Sequence, residues 1–227
     1  MGVPRSRRNK TGVQLGEPVV RGMVMMAAAK VFALRGYRAV SVDELLVAAN
    51  VSRRTFYKAF DSKDAVALAL YRFGTDGLVD NCRRALAEDG DLLTRVLRCI
   101  DLHLKNAATM GRLVFVLGGE ASSQDSPLFA VRMAVHDRLV EVLLAADRER
   151  QVDPLFVRTL LMALEAMVRC VLLEGDEGRR VTEAQIARAR RVMARIVTGA
   201  IAGEGKAVTE MPLVGPAAAS GAAASAR

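Results

Sequence analysis

Three serines, Ser41, Ser52 and Ser62, each stand directly before a helix-forming run, and the spaces between them admit only short helices joined by tight turns. The first opens with Ser41-Val42-Asp43-Glu44, a capping box in which the hydroxyl accepts from the third helical amide and Glu44 reaches back to the Ser41 amide. That helix is expected to run to about Ala49 and turn at Asn50. Ser52 then caps a helix ending near Phe60, and Ser62 caps a long helix carrying Gly74 and Gly77, where a bend is expected. Ahead of all three, "VVRGMVMMAAAKVFALRG" repeats apolar residues at helical spacing (Val24, Ala27, Ala28, Val31, Phe32) and stops at Gly36, a C-cap.

The segment after Ser52 concentrates scarce aromatics among cations. With Phe56 at the centre of the buried face, Ala59 and Phe60 fall beside it, whereas Arg54 and Lys58 point nearly opposite and Thr55 and Tyr57 flank them. Arg53 and Arg54 occupy the first turn after the Ser52 cap, and Lys63 follows the Ser62 cap directly. A helix dipole disfavours positive charge there by roughly 0.3 to 1 kcal/mol each. Cations at two helix N-termini make sense if both meet an anion that backbone amides and side chains hold together. Two short helices about a tight turn, the second polar on its outer face, form a helix-turn-helix able to enter a major groove.

The distribution of charge agrees. Residues 1–70 hold twelve Lys or Arg against five Asp or Glu, so nearly all of the net +8 lies in the N-terminal third. That is the footprint of a phosphate-backbone partner, although a membrane surface would attract it too.

On these residues the stretch "GYRAVSVDELLVAANVSRRTFYKAFDSKDAVALAL" resembles the N-terminal DNA-binding domain of the TetR family of one-component transcriptional regulators over about residues 20–70. The resemblance rests on the Gly-Tyr ending the first helix, Val-Ser at the turn, Thr-Phe-Tyr with a closing Phe, and Ser-Lys at the next helix. It implies that Ser41, Thr55, Tyr57, Lys58 and Lys63 hold phosphates of double-stranded operator DNA and that Arg53 and Arg54 are candidates for base edges. Three positions depart from the family pattern. Asn50 stands for the usual turn glycine, which its tolerance of the left-handed region permits; Leu46 replaces an alanine; and Ala59 stands where many members carry His or Tyr, removing one phosphate contact.

The remainder reads as helices at 92–108, 112–117, 127–148, 154–173 and 182–201, with Asp153-Pro154 as N-cap and N1 and Thr182-Glu183-Ala184-Gln185 as a second capping box. A polar loop is expected at 116–127. The fold class is therefore all-α: a basic flexible arm (1–17), a three-helix helix-turn-helix domain (18–70), a larger helical domain (71–202) and a low-complexity tail (203–227) expected to be disordered. The helix over 154–173 is apolar almost all round, more than one domain face covers. The resemblance implies that it and the last helix form a homodimer interface, for which Leu160, Leu164, Met167, Val171, Val192, Met193 and Ile196 are the candidates; a self-contained core is the alternative. It also implies a repressor released from a palindromic operator by a small-molecule effector. For a partly apolar effector, the segment between Leu92 and Arg148 offers Met110, Phe115, Phe129 and Met133 as walls and His103, Asn106, Arg112, Glu120, Arg132 and His136 as polar handles. An effector-independent helical DNA-binding or partner-binding protein is the alternative reading.

Other chemistries find little support. Cys99 and His103 share a helix face without a third metal ligand, and read as a packed pair. Ser122, Ser123, Asp125 and His136 contain the letters of a hydrolase triad but lack GxSxG and a preceding strand, so no enzyme is expected. Glu165 and Arg169, one turn apart, read as a helix-face ion pair. No cofactor, metal or membrane partner is expected, and three cysteines without a CxxC pair suit a reducing, cytoplasmic setting.

Overall fold

The computed structural model describes residues 16–147, 152–173 and 182–202, and these form nine helices with no strand. They are α1 (Glu17–Arg35), α2 (Val42–Ala49), α3 (Arg53–Ala59), α4 (Lys63–Ala87), α5 (Leu92–Met110), α6 (Arg112–Ala121), α7 (Phe129–Ala146), α8 (Pro154–Leu173) and α9 (Glu183–Ala202). The expected arm overlaps α1, which starts at Glu17 behind Gly16 with proline in its first turn. The rest of the arm, including Arg5 to Lys10, and the tail at 203–227 lie outside the described residues.

The caps form as the serine spacing requires. Ser41 Oγ accepts from the Glu44 amide at 3.3 Å while Glu44 Oε2 accepts from the Ser41 amide at 2.7 Å. Ser52 accepts from the Thr55 amide, and Ser62 from the Ala65 amide, both at 3.1 Å. Asn50 takes the left-handed conformation, φ 52° and ψ 46°, that a glycine would occupy without cost. The orphan carbonyl of Ala59 at the end of α3 accepts from Arg21, whose guanidinium lies 4.2 Å from the Phe60 ring centroid, so α1 fixes where α3 stops.

Around these short helices, Val24, Ala28 and Phe32 of α1 close with Tyr37, Val40, Leu45, Ala49, Phe56, Phe60 and Val66 into one core. That core does not end with α4: Leu113, Leu117 and Ala121 of α6, and Leu128 after it, are buried in the same cluster. A second cluster joins α4, α5 and α7 through Val79, Cys82, Leu86, Cys99, Val135 and Leu139, and a third joins α5, α8 and α9 through Ile100, Leu104, Val168, Ala189, Met193 and Val197.

One element departs from expectation. The stretch expected to be a loop from Val116 is helical to Ala121, and α7 begins only at Phe129. Gly118 and Gly119 lower helix propensity, but burial of Leu117 and Ala121 between α1 and α8 outweighs roughly 1 kcal/mol per glycine. Gly118 also sits where the Arg169 side chain crosses: a Cβ built there would meet Arg169 Cδ at 4.0 Å. Gly74 and Gly77 lie within an uninterrupted α4.

Because Phe56 is fully buried and touches both neighbouring rings, Phe56→Ala should cost about 3–5 kcal/mol, read as a lowered midpoint in urea denaturation.

Candidate nucleic-acid interface and ligand cavity

The outer face of α3 divides into committed and uncommitted side chains. Arg53 is paired with Asp43 across the turn, with both groups well exposed, so the pair is weak and its cation is readily surrendered to another anion. Thr55 Oγ1 lies 2.7 Å from Ser52 Oγ, and the Ser41 hydroxyl is occupied in its capping box. Arg54 and Lys58 are exposed without a protein partner among the described residues. Tyr57, 45% exposed, stands edge-on against Phe56 at 5.3 Å between ring centroids, which holds its hydroxyl outward. Lys63 differs from the rest: its ammonium donates to the Tyr37 carbonyl at 3.1 Å and sits 4.5 Å from the Tyr37 ring centroid, so it ties α4 to the end of α1. Tyr37 in turn donates to Asp64, and burial foremost pushes its phenol well above the usual range.

Behind this head, a cavity of about 280 Å³ runs between α4, α5, α6, α7, α8 and α9. Of the candidate effector residues, His103, Asn106, Met110 and His136 line it. Phe115, Glu120, Phe129, Arg132 and Met133 do not, nor does Arg112. On α6 the wall is made by Leu113, Val114, Leu117 and Gly118, which turns Phe115 to another face. Glu120 faces away and accepts two bonds from Arg38, at 3.0 and 3.2 Å, so it links the helix-turn-helix to α6 and is no ligand handle.

Much of the wall comes from helices whose sequence points elsewhere. Tyr71, Gly74, Thr75 and Leu78 of α4 contribute, as do Leu160, Leu164, Glu165 and Arg169 of α8 and Met193 and Val197 of α9. This revises the candidate dimer surface. Met193 is fully buried in its own chain, Leu160 and Leu164 face the cavity, and Met167 and Val171 pack half-buried on the α5–α9 core. Val192 and Ile196, at 41% and 37% exposed, lie on the open side of α9, and Leu155 and Phe156 stand out from α8. The breadth of apolar surface on α8 thus has two causes, a cavity on one side and an uncovered face on the other.

Glu165 is not a simple partner of Arg169. It accepts three bonds from Arg132 at 2.7–3.1 Å and one from Arg169 at 2.9 Å, and His136 Nε2 lies 3.3 Å from it. Burial alone would raise its pKa, but hydrogen bonds from His136 and Arg132 and the two guanidinium charges outweigh that and hold the carboxyl at about 2. His103 has no such support: burial depresses its pKa and keeps the imidazole neutral, and its Nδ1 has no hydrogen-bond partner among the described residues. Cys82 and Cys99 also meet at the wall, with Cys99 Sγ 3.7 Å from the Cys82 carbonyl. The Cys99–His103 pair is therefore cavity lining, and His136 is directed at Glu165 with Ser122 bonded to the Gly118 carbonyl instead.

Since the folded pKa of Glu165 lies below the unfolded value of about 4.3, its contribution to stability is present above that value and is lost as pH falls toward about 2. Glu165→Gln should therefore be about 2–3 kcal/mol less stable than the parent at pH 7, with the gap closing between about pH 5 and pH 2 in urea titrations.

Residues 24–70 match the family model described as bacterial regulatory proteins, tetR family. The HTH-type transcriptional activator FasR of Mycolicibacterium smegmatis is 34% identical over 93 residues, which cover 41% of this chain and 42% of that relative's length. FadR of Bacillus subtilis, solved in complex with stearoyl-CoA, superposes with a TM-score of 0.66 at 17% identity, over 78% of this chain and 98% of that one. The fatty acid degradation regulator FadR of Bacillus halodurans gives 0.63 at 21% identity, over 76% and 97%. The helix-turn-helix segment thus fits the model of the tetR family of bacterial regulatory proteins, and the helical body that carries it shares the fold of the two FadR structures.

Proposed function

We propose that this protein is a repressor that binds a palindromic operator as a homodimer through α3 and leaves it when a partly apolar small molecule fills the cavity. The observation that carries the reading is the double duty of α6: Leu113 and Leu117 are buried in the core of the helix-turn-helix and also wall the cavity. A ligand that displaces these side chains acts on the packing that orients α3. The Arg38–Glu120 pair gives a second link between the same two parts. In a dimer the two recognition helices must enter successive major grooves about 34 Å apart, so a ligand that favours another spacing shifts the population off DNA.

Dimerisation is supported by Val192, Ile196, Leu155 and Phe156, apolar and exposed on the neighbouring helices α8 and α9. An effector with a long apolar part is favoured by the mostly aliphatic wall and by relatives whose names concern fatty acids or stearoyl-CoA. Repression is the simplest outcome of operator occupancy at a promoter; a reporter fused to that promoter, with the gene present and deleted, reads the sign directly. Direct binding is tested on the intergenic DNA flanking the gene, by titration with and without candidate effectors.

Ile196→Arg combined with Val192→Arg should give a folded monomer by light scattering and reduce operator affinity by at least about a hundredfold, because one half-site alone binds weakly at physiological salt. A folded monomer with parental affinity would count against the dimer.

Arg54, exposed and without a partner among the described residues, is the candidate reader of guanine O6 and N7, whereas Arg53 starts from an acidic partner. Arg54→Ala should relax selection at one guanine per half-site, costing about 1–3 kcal/mol there, while Arg53→Ala weakens all sites alike. Selection of sites from random DNA with each variant checks this.

A further inference from the structure

Most of the polar groups of the cavity lie at one end. His103 and Asn106 lie one turn apart on α5, Glu165 and Arg169 of α8 and His136 of α7 line the same cavity, and Glu165 is close enough to His103 to act on it electrostatically. The other end, near Leu92, Val96, Leu143 and Phe156, is aliphatic and aromatic. Asp147 lies on the wall there, three turns along α7 from His136. Along α8 the two ends, Phe156 and Arg169, are separated by roughly 20 Å at the helical rise, close to an extended chain of about fourteen carbons with its head group.

The polar end is incomplete in two respects. Its charges do not balance: Arg132 and Arg169 are two guanidinium groups around the single carboxylate of Glu165, and His103 is held neutral. Its donors are also unspent. Arg132 gives Nε and Nη2 to Glu165, but Arg169 commits only Nη1, and its Nε and Nη2 have no protein partner among the described residues. His103 is enclosed by protein yet keeps accessible surface toward the void, and its Nδ1 is buried without a partner. A half-buried cation with unspent donors and an orphaned buried imidazole nitrogen both favour an occupant that completes them. Glu165, already accepting from three side chains, serves to orient Arg169 and has little acceptor capacity left.

We propose that the occupant is an elongated amphiphile with one anionic head, a long-chain monocarboxylate, whose carboxylate sits on Arg169 with Asn106 and His103 donating to it and whose chain runs toward Leu143 and Phe156. This rests on the cavity being the effector site, and it goes further by setting the chemistry and direction of the ligand. An acyl group esterified to a carrier lacks the free carboxylate that Arg169, Asn106 and His103 would hold. The neutral ester of the same acid fits the apolar wall equally well but leaves the positive charge uncompensated.

Calorimetric titration of the full-length protein with tetradecanoate, methyl tetradecanoate and tetradecanol, each below its aggregation concentration, separates these possibilities. Tetradecanoate should bind about tenfold or more tightly than the ester or the alcohol. Arg169→Gln should abolish that preference by weakening the acid alone, and Arg169→Lys should retain part of it. Asn106→Leu, which removes none of the bonds to Glu165, provides a second readout should Arg169→Gln fail to fold, with a smaller loss for the acid and none for the ester. Equal binding of acid and ester, with either one releasing operator DNA, overturns the head-group assignment while leaving the effector cavity standing. An unchanged preference in Arg169→Gln overturns it as well. No binding by any of the three overturns both.

Discussion

Leu113 and Leu117 belong to two surfaces at once, and the relation between the two ends of the molecule depends on that. Both are buried in the cluster that also holds Phe32 of α1 and Phe56 of α3, and both wall the cavity. A close-packed core transmits a displacement of its members because it has few voids to absorb one. The helix-turn-helix is therefore not an independent bead on the N-terminus of a helical body. Its core is completed by α6, and α4 runs without interruption from the recognition segment into the body.

The Glu165 network shows a different balance. Burying a carboxylate and two guanidinium groups is expensive, and ion pairing inside a protein often does no better than well-packed apolar residues. What the arrangement secures is orientation: Arg132 is held bidentate, His136 is turned toward the carboxylate, and Arg169 is laid along the cavity wall past Gly118. In a wall built mostly of aliphatic side chains, these groups make one end of the cavity unlike the other.

On α3, weak internal pairing has a use. The exposed Arg53–Asp43 pair keeps one cation folded against the protein at little energetic gain, whereas Arg54 and Lys58 have no partner among the described residues. The anchors beneath them, Phe56, Phe60 and the Arg21 bond to Ala59, are rigid. A surface of this kind combines a fixed backbone with readily surrendered charges, the combination that contact with a phosphate-lined groove requires.

Local signals in the chain were enough for the helices and their caps, since Ser41, Ser52, Ser62, Asn50 and Thr182 act through bonds to amides a few residues away. The buried face of α3 was legible for the same reason, because helical period and scarce aromatics leave one way to turn it. Long-range packing decided the rest. Gly118 and Gly119 read as a break until the burial of Leu117 and Ala121 made them helical, and Glu120 reads as a ligand handle until Arg38 is found opposite it. The apolar breadth of α8 was visible as a surplus, but its division between a cavity and an uncovered face depends on where α4, α5 and α9 lie. Glu165 looks like a helix-face partner of Arg169 because their spacing is local, whereas Arg132 and His136 reach it from another helix. The sequence by itself determined most of the helical segments and which side of α3 faces out, because those follow from interactions within a turn or two. Only the tertiary structure decided where the cavity lies and which groups converge on its polar end, because those are contacts between helices that no local period records.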